Sequence, residues 1–124
     1  MKFFTVGILV ILTLSAQVFA EDKLQEMVDN TCGACHLTGK VSKEKLERMT
    51  APPMWGIATK IKAHIQGEQE QIDFMVDFVL NPDPKKMLFP QETIARFGYM
   101  PSQKDTISKD DLQAIAKYLL TKHY

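Results

Sequence analysis

Both cysteines of this 124-residue chain lie in one short run, Cys32-Gly33-Ala34-Cys35-His36. As a disulfide, the pair would close a very small loop, and a loop of that size constrains the unfolded chain little. A structural staple is therefore a poor explanation of the two cysteines. The spacing indicates instead that both thiols and the histidine serve one task, and the fold has to present all three groups together.

The first 20 residues have the pattern of a secretory signal. Lys2 supplies a positive charge, an apolar run follows it, and small residues at Val18 and Ala20 precede the charged Glu21. This pattern predicts cleavage after Ala20. The alternative is an uncleaved membrane anchor, which the short apolar run disfavours. We expect export to the periplasm, and no stable membrane insertion once the signal is removed.

Length and charge narrow the classes of function. Removal of 20 residues from 124 leaves residues 21–124, enough for a single domain. The chain has 15 Lys and Arg and 15 Asp and Glu, so loss of Lys2 leaves a formal charge near −1. A nucleic-acid-binding protein would show a basic surplus, so the charge balance argues against that class, and we expect no nucleic-acid partner.

The apolar residues recur at helical spacing, and no convincing run alternates with period two. The predicted class is all-α, with about four or five helices and long loops. The main helices are expected over residues 22–31, 54–66, 68–80 and from Ser108 onward, with weaker candidates near 42–49 and over 91–97.

Three further expectations concern these helices and the loops between them. Gly67 should end the second main helix, and the helix over 68–80 should be the most buried. Ser108 should cap the last helix, with Asp111 completing a capping box. Long loops in a small domain need support, which a large buried cofactor would supply.

Cys-x-x-Cys followed by His is the attachment signature of c-type haem. Each thiol would add to one vinyl group of the porphyrin, and His36 would then be the proximal ligand of the iron. A thioredoxin-like redox pair needs a βαβ unit that the sequence lacks. A zinc site needs at least three protein ligands, for which only His64 and His123 could help, and no motif contains them.

With these residues the chain resembles the class I c-type cytochromes, which are small single-haem electron carriers. The resemblance also covers the Pro52-Pro53-Met54-Trp55-Gly56 run, the Phe97-Gly98-Tyr99-Met100-Pro101 run and the final helix. It implies a cytochrome c fold around one covalent haem c. It also implies that the Pro52 carbonyl accepts a hydrogen bond from His36, a bond that orients a metal ligand.

The sixth ligand of the iron decides what such a protein does, because a thioether there raises the reduction potential and fills the coordination sphere. Met100 and Met87 both lie in proline-flanked loops, whereas a methionine at helical spacing is usually core. Met100 is favoured, since Gly98 precedes it and Pro101 extends its backbone. For His64, a partly buried position with a bond to a carbonyl or a haem propionate is favoured over iron ligation.

The predicted function is therefore one-electron transfer between redox proteins, without enzymatic activity, by a monomer that docks transiently with its partners. Three alternatives stay open at this point. The chain could be a haem enzyme or gas sensor with an open iron site, the electron-accepting subunit of a dehydrogenase, or a haem-free thiol oxidoreductase.

Overall fold

A computed structural model describes residues 2–122, with side chains from residue 17 onward. The helices are α1 (Lys2–Cys32), α2 (Lys43–Glu47), α3 (Met54–His64), α4 (Glu68–Leu80), α5 (Gln91–Phe97) and α6 (Lys109–Thr121), with a 3₁₀ turn at Pro84–Lys86. No strand occurs within residues 2–122, and the all-α prediction is confirmed. Both short helices that were weaker candidates are present. His123 lies outside the described residues.

Helix α1 is much longer than the predicted helix over 22–31. It runs without interruption from Lys2 to Cys32, so no break in the helix marks the expected cleavage point after Ala20. Two apolar side chains next to that point, Val18 and Phe19, are 58% and 74% exposed. Among the helices searched in the described part of the chain, none is long and apolar enough to cross a membrane.

Helix α6 is the centre of the packing, because it contacts α1, α3 and α4. The expectation that α4 would be the most buried helix is wrong. Helix α4 buries Ile72, Met75 and Val76, whereas α6 buries Leu112, Ile115, Ala116, Leu119 and Leu120. These residues of α6 recur every three or four positions, so they form one continuous apolar stripe that can face several neighbours.

The first and last helices are in direct contact. Val28 of α1 and Ala116 of α6 are both fully inaccessible to solvent and belong to the same hydrophobic core. A small alanine side chain at such a position lets a neighbouring helix approach closely. The contact places the end of α1, which carries Cys32, against the rest of the core.

The helix ends follow the expected capping rules with one correction. Ser108 caps α6, since its Oγ accepts a hydrogen bond from the Asp111 backbone N–H at 3.1 Å. Gly67, however, does not end α3, because the extended Ile65 already does so. Gly67 instead precedes α4, with φ at +92°, a conformation that glycine adopts readily.

Backbone and side-chain hydrogen bonds hold both long loops against the helices. The Met54 N–H donates to the Leu37 carbonyl at 3.0 Å, which closes the segment 37–53. The Gln103 N–H donates to the Val79 carbonyl at 3.0 Å, and the Ser102 hydroxyl donates to the Leu80 carbonyl at 2.6 Å. The segment after α5 is thereby fixed to the end of α4.

Candidate haem site

The cysteine motif forms a tight turn at the end of α1. The N–H groups of Cys35 and His36 both donate to the Cys32 carbonyl, at 3.2 and 2.9 Å. This turn keeps the two thiols and the imidazole within one short stretch of backbone. The structure therefore brings the three predicted attachment residues together.

The His36 ring is half-buried and hydrogen-bonded to the backbone of the next loop. Its Nδ1 lies 2.7 Å from the Pro52 carbonyl oxygen. Because a carbonyl can only accept, Nδ1 carries the proton and Nε2 keeps its lone pair. Nε2 makes no hydrogen bond within the described residues, so its lone pair is available to bind a metal ion.

Burial lowers the pKa of the His36 imidazole, while the hydrogen bond to the Pro52 carbonyl acts in the opposite direction. The net shift favours the neutral ring over the imidazolium. Neutral imidazole is the form that binds a metal. Position, tautomer and protonation state of His36 thus all suit an axial ligand of iron.

The two thiols differ in their surroundings and are not joined in a disulfide. Cys35 is exposed, whereas Cys32 is partly buried against the core. Burial, aided by the nearby Asp29 carboxylate, raises the pKa of the Cys32 thiol to about 11. Because the thiolate is the reactive form, the raised pKa makes the Cys32 thiol a poor nucleophile.

A cavity of about 280 Å³ opens beside the cysteine motif. Residues 33–39 form one wall, and Lys45, Arg48 and Met49 contribute to the other. Helix α2 therefore lies across the cavity from the attachment turn. It does not cover Cys35, which is exposed.

Met100 lines a second, smaller cleft of about 30 Å³. Met87 lines the same cleft, together with Phe78 and Tyr99. The cleft shares no lining residue with the cavity beside His36. The structure thus brings the two candidate methionines together, and each is half-buried in an irregular segment.

Gly98 sets the backbone path into the Met100 loop. It follows α5 with φ at +74° and ψ at −159°, a combination that is essentially restricted to glycine. We expect Gly98→Ala to destabilise the protein by about 1–3 kcal/mol because of backbone strain. Denaturant unfolding measures the loss. Gly39→Ala is the matched control, since a Cβ there meets nothing within 4 Å, and equal destabilisation by both would contradict the prediction.

The remaining candidate ligands have other environments. His64 is exposed, and its Nδ1 lies 2.9 Å from the Lys60 carbonyl of its own helix. The expected bond to a carbonyl is present, but the expectation that His64 would be partly buried is wrong. Met54 and Met75 are core residues. Within the described residues, no three His, Cys, Asp or Glu side chains are grouped so as to hold a metal ion.

A polar network beside the site was not predicted from the sequence. Gln25 lies at its centre, and its Oε1 accepts from the Tyr118 hydroxyl at 2.9 Å and from Lys122 Nζ at 2.5 Å. Its Nε2 donates to Asp29 at 2.8 Å, and the Thr38 hydroxyl donates to the same carboxylate. The network joins α6, α1 and the segment after His36. Single polar residues on a helix give no sequence signal for such a role.

We expect Gln25→Ala to lower the free energy of unfolding by about 1–3 kcal/mol, because several polar groups lose a partner at once. The matched control is Gln69→Ala, which removes one exposed hydrogen bond to Asp73 within α4. Chemical denaturation of both variants checks the difference. Equal losses of stability would show that the hydrogen bonds of Gln25 do not stabilise the contact between α1 and α6.

The fold and this site define a c-type cytochrome domain, and comparison with protein families supports that class. The family model described as "Cytochrome C oxidase, cbb3-type, subunit III" matches residues 19–119. Because the match spans most of the chain, this chain belongs to that family. Cytochrome c domains bind haem and typically act as electron carriers.

A comparison with curated proteins identifies a similar protein in Aquifex aeolicus (strain VF5), described as "Uncharacterized protein". The two chains are 28% identical over 129 residues, which cover 90% of this chain and 84% of the relative. No solved structure gives a significant match.

The residues present fit a haem group. His36 offers a free Nε2, the motif offers two unpaired thiols, and Met100 or Met87 offers a thioether. Imidazole and thioether are the donor pair found in cytochromes c. Two cysteines three positions apart, followed directly by the histidine, suit covalent attachment.

Proposed function

We propose that this chain is an exported one-electron carrier with one haem c, held by thioethers to Cys32 and Cys35. His36 and Met100 are its axial ligands, and Pro52 orients His36. The hydrogen bond of 2.7 Å between His36 Nδ1 and the Pro52 carbonyl is the observation that carries the proposal. It fixes the ring in one orientation and leaves Nε2 for the iron, as partners of metal-bound histidines do.

The haem supplies a reversible one-electron change at its iron. The side chains that bind the iron decide whether this change serves electron transfer or catalysis, and here they favour electron transfer. His36 and Met100 would hold the iron through an imidazole and a thioether, which would leave no position for a substrate. A Met100 thioether would also raise the reduction potential relative to a second imidazole or a thiolate. Ligation by two side chains therefore favours a carrier over an enzyme or a gas sensor with an open site.

Export to the periplasm and cleavage after Ala20 have two supports. The family match starts at residue 19, just before the expected cleavage point. The exposed Val18 and Phe19 make no part of the core, so their removal would leave the packing intact. The mature domain would then be residues 21–124, with the haem attached outside the cytoplasm.

Electron exchange would occur at the exposed edge near Cys35. At pH 7 the formal net charge of the chain is close to zero. Such a charge does not attract one highly charged partner over long distances. Contacts with redox proteins should therefore be small and short-lived, as redox encounters generally are. A monomer suits that mode of action.

The description of the family supports a second form of the same function, because it names a subunit of an oxidase. In that form the chain would pass electrons within a stable complex, as the electron-accepting subunit of a dehydrogenase also would. Size-exclusion chromatography of the native, membrane-free extract separates the two forms. A haem-containing species of about 12 kDa, near the roughly 104-residue size of a small domain, supports the shuttle.

The proposal is tested by mass spectrometry and by the absorption spectrum of the oxidised native protein. We expect the mass of one porphyrin to stay attached after denaturation, and a charge-transfer band from a thioether to ferric iron. The reduced protein should take up carbon monoxide only slowly. A protein without attached porphyrin would contradict the haem assignment, and rapid uptake of carbon monoxide would contradict the carrier role.

A further inference from the structure

Two thioethers line one cleft in this structure, although an axial position needs only one. Met87 and Met100 are 13 residues apart in the sequence and approach each other beside Phe78. Neither belongs to the hydrophobic core or to the partly buried residues packed against it. The Met87 side chain therefore has no role in the core, although the neighbouring Leu88 packs against it.

The position of Met87 is held by contacts on its N-terminal side. The Asp83 carboxylate accepts from the Lys85 N–H at 2.9 Å, and the Met87 N–H donates to the Pro84 carbonyl at 3.3 Å. The neighbouring Lys86 forms an ion pair of 2.6 Å with Asp77 of α4. These contacts attach the 3₁₀ turn to α4 and keep Met87 at the cleft independently of the Met100 loop.

From this arrangement we propose that Met87 is a reserve axial ligand, which binds the iron when Met100 is absent. The inference rests on the proposed function, in which Met100 is the sixth ligand. A methionine side chain is flexible, with three rotatable bonds, so a thioether at the same cleft can adjust its position without a change of fold. Exchange of one thioether for the other leaves the oxidation state of the iron and the type of donor unchanged.

In the native protein the form with Met87 bound is a minor population, below about 10% as is usual for alternative conformers. Removal of the Met100 sulfur makes it the dominant form. The site then keeps imidazole and thioether ligation and does not open to external ligands. The reduction potential stays in the range of a His and Met pair.

Leucine substitutions test this proposal, because leucine keeps the approximate volume of methionine without its sulfur. The variants are Met100→Leu, Met87→Leu and the double variant, each produced with its haem. Met49→Leu combined with Met100→Leu is the matched control, since Met49 is also half-buried but lines the cavity beside His36. The readouts are the thioether charge-transfer band of the ferric protein and the strongly shifted methyl resonance of a bound methionine in the ferrous protein.

We expect both signals to persist in Met100→Leu and in the control, with a shifted band, and to disappear in the double variant. Loss of both signals in Met100→Leu alone would overturn the reserve role of Met87 and leave the carrier with Met100 ligation intact. Loss in Met87→Leu alone would make Met87 the native ligand and overturn the proposed order. Absence of both signals in the native protein would contradict the proposed function itself.

Discussion

The double variant Cys32→Ser/Cys35→Ser is expected to contain no covalently attached haem. Serine hydroxyls do not form the thioethers that the thiols form with the porphyrin, so both covalent bonds are lost. The turn that presents these residues depends on backbone hydrogen bonds to the Cys32 carbonyl and should survive the substitution. Mass spectrometry after denaturation in acid measures the attached mass directly.

The two single variants are the controls for this experiment. Each keeps one thiol, so each should retain one thioether and a detectable fraction of protein with attached porphyrin. The absorption of the reduced pyridine complex should shift with the loss of one thioether. A double variant that still carries porphyrin mass after denaturation would show that another side chain forms the attachment.

The second large effect is expected in the core. Leu119 is 1% exposed and lies in the stripe of α6 that packs against three other helices. Leu119→Ala should lower the free energy of unfolding by about 2–5 kcal/mol, because it removes buried methyl groups and leaves a cavity. For a small domain such a loss is a large part of the total stability. Denaturant titration followed by far-UV circular dichroism measures it.

Leu46→Ala makes the same chemical change where little is buried. Leu46 is 40% exposed, and its helix α2 has no buried residue. The expected loss is within about 0.5 kcal/mol, as for most surface substitutions. If the two variants lost equal stability, the central position of α6 in the core would be contradicted.

Much of the fold was predictable because residues close in sequence determine where several helices begin and end. The bounds of α4 and α5 follow from proline and glycine at their ends, which stop a helix whatever surrounds it. The cap of α6 at Ser108 is equally local. The relative burial of α4 and α6 was not predictable, since it depends on how many neighbours each helix contacts. That number is a property of the tertiary structure and not of any one segment.

For the site, the sequence predicted candidate residues but not their mutual positions. The motif indicated Cys32, Cys35 and His36, because its spacing is set by the chemistry of attachment. The role of Pro52 came from the resemblance to a family. No local pattern could show that Met87 and Met100 share a cleft, because the loop between them contains α5 and its path depends on long-range contacts.

Contact between the first and last helices has a consequence for the order of maturation. Cys32 packs against a core that α6, at the far end of the chain, completes. If the chain is exported unfolded, as the proposed function implies, the cysteine motif would emerge before α6 does. Under the proposed function, attachment of haem to Cys32 would therefore have to precede the packing of α6, because that helix completes the core in which the thiol is partly buried.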